Sequence, residues 1–182
     1  MIINKPITAV WEITMGCNMR CKHCGSSCHE ALPGELTTAE ALKLCDEIGE
    51  LELQWIALSG GEPTTRRDWP LIARRLTQNG VIPTIITNGW LFGEEILDQA
   101  IKAGVGTIAF SVDGLQETHD FIRREGSYRR TMQAIELCHR SNMATTAITT
   151  INKMNLGELT ELKQELVKRG VKEWQGQIGI PM

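Results

Sequence analysis

Short apolar runs and longer amphipathic segments alternate along this chain. Six runs rich in Ile, Val and Thr have the length and the β-branched composition of buried strands. The segments between them place apolar side chains on one stripe at helical spacing. We therefore predict strands over residues 7–14, 55–59, 81–87, 107–112, 144–151 and 171–180.

Residues typical of helix ends place the helices between these strands. Thr37, followed three residues later by Glu40, predicts a capping box at the start of the first helix. Asp68 is predicted to cap the second helix, with Pro70 in its first turn. The remaining helices are predicted from about residue 93 to 103, from 127 to 141 and from 155 to 170.

Strict alternation of strand and helix predicts parallel strands joined by right-handed crossovers. The strands are apolar on both faces, as strands covered on both sides are. No Gly-x-Gly-x-x-Gly follows the first strand, which argues against a dinucleotide fold. We predict an α/β fold in one domain over residues 1–182, a partial (β/α)6 TIM-like barrel. Since no helix follows the sixth strand, we expect the natural protein to continue beyond it.

Composition narrows the classes of function. The chain has 182 residues, 42% of them hydrophobic, which suffices for one sizeable core. Its net charge of −3 argues against non-specific nucleic-acid binding. With no signal peptide and no membrane span, the six cysteines indicate a cytoplasmic protein with free or metal-bound thiols. Two of them, Cys45 and Cys138, lie on apolar helix stripes and are expected to be buried.

Three cysteines lie within one short loop after the first strand. Cys17, Cys21 and Cys24 are spaced by four and then three residues. Thiolates are soft ligands that bind zinc or iron–sulfur clusters, and three of them leave one corner of a four-iron cluster open. Cys28 follows four residues later, so a closed four-thiolate zinc or cluster site is the alternative.

The spacing Cys-x3-Cys-x2-Cys resembles the signature of the radical S-adenosylmethionine (radical SAM) enzymes. The resemblance implies that Cys17, Cys21 and Cys24 are catalytic and hold a 4Fe-4S cluster whose open iron binds SAM. It also implies that a reductant such as flavodoxin or ferredoxin supplies one electron, which cleaves SAM to methionine and a 5′-deoxyadenosyl radical. The radical then abstracts hydrogen from the substrate. One departure is His23, whose ring is not a hydrocarbon one, at a position where the family often has an aromatic residue.

The resemblance continues where the second strand ends. In parallel α/β folds, chemistry lies at the carboxyl ends of the strands. There the chain reads Ser-Gly60-Gly61-Glu62-Pro63, similar to the family's second motif, which implies contact with the amino group of SAM. Paired glycines allow a close backbone approach, and carbonyls beside a carboxylate suit an ammonium group.

Two later strand ends carry further candidates for SAM contacts. Asn88 lies in a Thr-Asn-Gly segment similar to one that the family places near SAM. Ser111 and Asp113 share one side of the fourth strand by its period of two, and their polar groups suit a ribose or a methionyl group. Arg123, in His119-Asp-x-x-Arg, matches the family's arginine, whose guanidinium suits the SAM carboxylate. For His119 we expect an indirect role.

Among the branches of the family, these motifs most resemble those of the branch named after its SPASM extension. That resemblance implies a ribosomal peptide or protein as substrate and a cysteine-rich carboxyl-terminal extension. No cysteine after Cys138 is present to build such an extension here. Two alternatives stay open: the same chemistry on a small molecule or nucleotide in cofactor biosynthesis, and a non-catalytic four-cysteine iron–sulfur or zinc protein.

Overall fold

A computed structural model of the protein describes residues 6–178. One six-stranded sheet runs through it, with all neighbouring strands parallel and in sequential order. This arrangement confirms the predicted α/β fold with parallel strands. The strands are β1 (Thr8–Thr14), β2 (Trp55–Gly60), β3 (Ile82–Thr87), β4 (Thr107–Ser111), β5 (Thr145–Ile151) and β6 (Glu173–Ile178). The prediction for the sixth strand extends to residue 180, and its last two residues lie outside the described range.

Helices connect the strands, and most begin and end within two residues of the predicted bounds. They are α1 (Thr38–Glu50), α2 (Trp69–Gln78), α3 (Glu94–Ala103), α4 (Gln116–Ile122), α5 (Ser127–Arg140) and α6 (Leu159–Lys168). The sequence did not predict α4, because seven residues are too few to show helical periodicity. A helix predicted from residue 155 begins instead as a single 3₁₀ turn, Leu156–Glu158, followed by α6. No helix in the described range is long and apolar enough to cross a membrane.

The helix caps were predicted with mixed success. The capping box is confirmed, since Thr37 accepts a hydrogen bond from the Glu40 amide and Glu40 accepts one from the Thr37 amide. Asp68 does precede α2, but its side chain makes no bond to the helix amides. It accepts instead from Arg66 and from the Thr38 hydroxyl at 2.6 Å. Asp68 therefore ties together two helix starts.

The hydrophobic core lies between the sheet and the helices. Large apolar side chains from both layers are fully buried, such as Phe110 on β4 and Ile135 on α5. Burying each such side chain contributes about 1.5–3 kcal/mol. Cys45 and Cys138 are fully buried, as predicted, and burial raises the pKa of the Cys138 thiol to about 12. Both cysteines therefore serve as small apolar residues.

A long segment joins β1 to α1, and Glu35 fastens its two ends together. The Glu35 carboxylate accepts hydrogen bonds from the amides of Met15 at 2.7 Å and Leu32 at 2.9 Å, and from the Thr14 hydroxyl at 3.2 Å. Partial burial alone would raise the pKa of Glu35, but these bonds outweigh it and the pKa is lowered. The charged form of Glu35 thus holds the segment closed where it leaves β1.

Arg66 secures the same segment from the other side. Its guanidinium forms a bidentate pair with Asp68, at 2.6 and 2.9 Å. The same group donates to the carbonyl oxygens of Ile13 on β1 and Leu36 just before α1, both at 2.9 Å. The Arg66 side chain is only 10% exposed. One planar cation therefore joins the end of β1, the start of α1 and the start of α2.

Replacing Arg66 by lysine keeps the charge but removes the planar fork that reaches three segments at once. We expect Arg66→Lys to lower the free energy of unfolding by about 2 kcal/mol, because bonds to a nearly buried charged group are lost. Arg75→Lys is a matched control, since the pair of Arg75 with Asp46 is nearly half exposed and contributes little. Chemical denaturation would measure both variants, and equal effects would contradict the role given to Arg66.

Candidate active site

The three candidate cysteines lie on one closed loop at the carboxyl end of β1. This cysteine loop, residues 16–29, is closed by a bridge between Gly16 and His29 and by a 2.9 Å hydrogen bond from the Cys17 amide to the His29 carbonyl. Within it the Cys24 amide donates to the Cys21 carbonyl at 3.2 Å, which forms a tight turn. All three thiols are half-buried and none forms a disulfide. The loop therefore presents three free thiols.

This set of thiols fits an iron–sulfur cluster. Burial raises the pKa of both Cys17 and Cys21, so metal binding must displace their protons. A compensating charge is in place, because the Arg123 guanidinium lies 3.9 Å from the Cys21 sulfur. Within residues 6–178, no group of three or more His, Cys, Asp or Glu side chains is arranged closely enough to hold a single metal ion. Cys28 is more deeply buried, at 6% exposure, and burial raises its pKa to about 11.

The paired glycines after β2 face the start of the cysteine loop. The Gly61 amide donates to the Thr14 carbonyl and the Glu62 amide to the Gly16 carbonyl, each at 2.8 Å. A Cβ at Gly60 would lie 2.1 Å from the Thr14 oxygen, and one at Gly61 would lie 2.2 Å from the Gly16 oxygen. The sequence indicated glycines for a close approach, and in the structure the backbone that approaches belongs to the chain itself. Contact of these glycines with SAM stays a prediction.

The buried side chain of Glu62 connects the ends of β2 and β3. It is 1% exposed and accepts from the Thr64 hydroxyl at 2.6 Å, the Thr87 hydroxyl at 2.8 Å and the Asn88 amide at 2.7 Å. Burial raises its pKa, although these bonds act in the opposite direction. Both carboxyl oxygens therefore already have partners within the protein. Contact of Glu62 with the ammonium group of SAM stays a prediction, and so does contact of SAM with the next residue, the buried Pro63.

Asn88 connects the end of β3 to the cysteine loop. Its side-chain nitrogen Nδ2 donates to Asn18 Oδ1 at 2.7 Å, and its Oδ1 accepts from the Trp90 backbone amide at 2.9 Å. Asn18 is the residue after Cys17, so this contact positions the first thiol. The side-chain nitrogen Nδ2 of Asn18 is buried and has no hydrogen-bond partner among the described residues.

Asp113 is the most heavily bonded carboxylate of the site. It is fully buried and its Oδ2 accepts from His23 Nε2 at 2.7 Å and from Arg123 Nε at 2.5 Å. Its Oδ1 accepts from the Thr150 amide at 2.8 Å. Burial alone would raise the pKa of Asp113, but His23 and then Arg123 hold it well below its usual range. Ser111, at the end of β4, is half-buried and forms no side-chain hydrogen bond within the described part of the chain.

The segment from His119 to Arg123 covers the second half of α4 and the residue after it, and its polar side chains have three separate roles. His119 Nδ1 accepts from the Asp113 amide at 3.1 Å, consistent with the indirect role expected of it. Burial, followed by the charge of Arg123, lowers the pKa of His119 to about 4. Asp120 caps α5 by accepting from the amides of Gly126 at 2.9 Å and Tyr128 at 2.7 Å. Arg123 approaches the Cys21 sulfur, and Ile122 also contacts the cysteine loop, because its carbonyl accepts from the Lys22 amide at 2.8 Å.

Sequence reasoning missed His23 as a partner of Asp113. The two residues are 90 positions apart, and the pattern identified His23 only as a departure from the family's usual aromatic residue. An ionised carboxylate can only accept hydrogen bonds, so His23 donates to Asp113 through Nε2. The other ring nitrogen of His23, Nδ1, is buried and has no partner among the described residues. The signal available was a polar ring between two cysteines, which indicates a hydrogen-bond partner elsewhere in the fold.

A cationic cavity adjoins the cysteine loop. Its volume is about 360 Å³, and its lining comprises Cys17, Asn18, Met19, Arg20, Arg123 and Arg124. Arg20 is held in place by hydrogen bonds to the carbonyl oxygens of Cys17 and Met19. A cavity that joins a thiol to guanidinium groups suits a ligand carrying a carboxylate. These residues therefore fit the amino-acid part of SAM.

Comparison with known proteins gives consistent matches. Residues 11–166 match the model of the Radical SAM superfamily. The AdoMet-dependent heme synthase of Methanosarcina barkeri is 40% identical over 169 residues, which cover 90% of this chain and 48% of that protein. The mycofactocin maturase MftC of Mycobacterium ulcerans is 29% identical over 161 residues, which cover 87% of this chain and 44% of that protein. The chain thus spans about half the length of these curated relatives.

A solved structure supports the same fold. Streptococcus suis SuiB bound to S-adenosylmethionine aligns with a TM-score of 0.87 and 15% sequence identity. The alignment covers 97% of this chain and 41% of the SuiB chain. At this level of identity the likeness concerns the fold, and it agrees with the partial barrel expected from the sequence.

The contact between Gly60 and β1 leads to a testable prediction. Because Gly60 has φ +124° and its Cβ would overlap the Thr14 carbonyl, we expect Gly60→Ala to lower the free energy of unfolding by more than about 3 kcal/mol. Gly93→Ala is the matched control, since nothing lies within 4 Å of a Cβ there and its φ is −155°. Thermal and chemical unfolding would measure both. A normally folded Gly60→Ala protein impaired only in SAM binding would contradict the structural role.

Proposed function

Because the chain belongs to the radical SAM superfamily, we propose that it forms the catalytic core of an enzyme that cleaves SAM by one-electron reduction. SAM would yield methionine and a 5′-deoxyadenosyl radical, which takes a hydrogen atom from the substrate. The observation that carries this proposal is the set of three free, half-buried thiols on a loop fastened to the ends of β2, β3 and β4.

Cys17, Cys21 and Cys24 would hold a 4Fe-4S cluster. When bound, such a cluster supplies the electron for SAM cleavage and an open iron that orients SAM. The chain contributes the placement of the thiols, because Asp113 binds His23 within the cysteine loop and the Glu62 backbone amide binds Gly16 at its start. A preorganised site of this kind reduces the rearrangement needed when the electron arrives.

Binding of SAM would use the cationic cavity beside the thiols. Arg123 presents a guanidinium that is oriented by Asp113 and only 10% exposed. A carboxylate entering a poorly hydrated site beside such a cation is bound more strongly than it would be in water. Gly60, Gly61 and Glu62 would border the amino group, as the family resemblance implies.

For the substrate we propose a tetrapyrrole in cofactor biosynthesis. The heme synthase of Methanosarcina barkeri is 40% identical to this chain, against 29% for the mycofactocin maturase. This difference favours the cofactor alternative over the peptide substrate implied by the SPASM resemblance. A peptide is the second candidate, since the maturase is a relative over 87% of this chain.

Loss of one cluster thiol should abolish SAM cleavage, whereas loss of Cys28 should not. After anaerobic reconstitution with iron and sulfide, we expect Cys21→Ala to lose most of its iron and all 5′-deoxyadenosine formation. Cys28→Ala is the control, and it should retain both, because three thiols suffice for a cluster with an open iron. Iron content, electron paramagnetic resonance with and without SAM, and 5′-deoxyadenosine yield measure the outcome.

Two results would contradict this proposal. A reduced cluster whose spectrum is indifferent to SAM would favour an electron-transfer protein. Loss of metal in Cys28→Ala, or zinc bound in place of iron, would favour a closed four-thiolate site. Either result would make the non-catalytic alternative the better description of the cysteine loop.

The substrate proposal is tested by adding an iron porphyrin with propionate side chains to the reconstituted protein, reductant and SAM. We expect the Soret band to shift on binding and the rate of 5′-deoxyadenosine formation to rise about tenfold over the substrate-free rate. Metal-free porphyrin, compared under the same conditions, shows whether the iron is required. Unchanged spectra and rates would contradict the tetrapyrrole and leave the peptide as the better candidate.

A further inference from the structure

Four exposed arginines lie on α5 or just before it, and one of them, Arg124, contacts the cysteine loop. This arginine surface consists of Arg124, just after α4, and of Arg129, Arg130 and Arg140 on α5. A groove of about 690 Å³ runs along it, between α5 and the chain after β3. The buried side of α5 carries apolar residues such as Met132 and Ile135, so the arginines occupy its outer side.

The arginine surface is positively charged within a chain of net charge −3. None of its four guanidinium groups forms an ion pair within the described residues. Two carboxylates, Glu94 and Glu136, also line the groove, but Arg169 pairs with Glu136 at 3.2 Å. A concentration of unneutralised charge on an acidic protein favours an acidic partner.

Trp90 gives this surface a fixed shape. The guanidinium carbons of Arg124 and Arg130 lie 3.9 and 4.1 Å from the centre of its ring. The Trp90 indole is therefore in contact with both cations. Arg130 also donates to the Trp90 carbonyl at 3.3 Å. Cation–π contacts of this kind contribute about 0.5–1 kcal/mol each at exposed sites.

The arginine surface is in direct contact with the cysteine loop. Arg124 donates to the Asn18 carbonyl at 3.2 Å, and Asn18 is covalently next to Cys17. Trp90 reaches the same residue through Asn88, by hydrogen bonds of 2.9 and 2.7 Å. A partner in contact with Arg124 would therefore touch a side chain that binds the residue next to a proposed cluster ligand.

We propose that the arginine surface docks an acidic protein that donates single electrons, of the flavodoxin or ferredoxin class. This inference rests on the proposed function, which needs one electron for each SAM cleaved. One electron leaves the reduced flavin or iron–sulfur centre of the donor and enters the cluster of this chain; no bond is made or broken.

The extent of the surface favours a protein over a small anion. Arg129 and Arg140 are eleven residues apart on α5, which corresponds to roughly 16 Å along the helix axis. One carboxylate or phosphate group cannot bridge that distance. A protein interface of about 800 Å² per partner covers it readily.

The test compares two double variants that remove the same charge. Arg129→Gln/Arg140→Gln alters the surface without touching Trp90 or Asn18. Arg67→Gln/Arg74→Gln is the control, since both residues are exposed and lie near α2 instead. With reduced flavodoxin and reconstituted protein at low ionic strength, we expect the second-order rate constant of cluster reduction to fall about tenfold in the first variant only.

A second measurement is independent of the cluster. Calorimetric titration of oxidised flavodoxin into the metal-free protein should show about tenfold weaker binding for the surface variant only, and raising the salt should reduce this difference. Equal losses in both variants, no loss in either, or binding of a single-stranded RNA in place of flavodoxin would overturn the proposal.

Reduction by dithionite separates this inference from the proposed function. Dithionite is small and needs no docking surface, so all variants should cleave SAM equally with it. If SAM is cleaved with dithionite and the surface variant behaves as the control does with flavodoxin, the docking inference alone fails. If no variant cleaves SAM with either reductant but flavodoxin binding still depends on the arginines, the proposed function fails.

Discussion

The buried carboxylate of Asp113 imposes the constraint on which the site depends. A charged group without exposure to water is stable only when protein donors replace its hydration. Asp113 obtains them from His23 in the cysteine loop, Arg123 after α4 and the Thr150 amide on β5. Because each donor belongs to a different segment, ionising this one group holds three segments together. The cysteine loop is positioned by that requirement as much as by its own turns.

Glu62 acts in a comparable way on the other side of the loop. It gathers the ends of β2 and β3, while the amides of Gly61 and Glu62 hold the start of the cysteine loop. The loop is thus fastened at both flanks by buried carboxylates that bind protein groups. Residues that motif reasoning assigned to SAM therefore also have a structural task within the chain itself.

The proposed SAM site and the proposed docking surface meet at Arg124, which lines the cationic cavity and belongs to the arginine surface. The cationic cavity beside Cys17 and Arg123 suits SAM, whereas the arginine surface lies outward along α5. Asn18 is shared by both, through Asn88 and Arg124.

The sequence alone determined the order of the six strands and of every helix except α4, the capping box at Thr37 and the three-cysteine motif, because each depends on residues near one another in the chain. Only the tertiary structure decided that His23 meets Asp113 across 90 positions and that Asn18 meets Asn88 across 70. It also decided that the glycines after β2 accommodate β1. Such contacts depend on how the strands pack side by side, and hydrophobic periodicity carries no information about which polar groups that packing brings together.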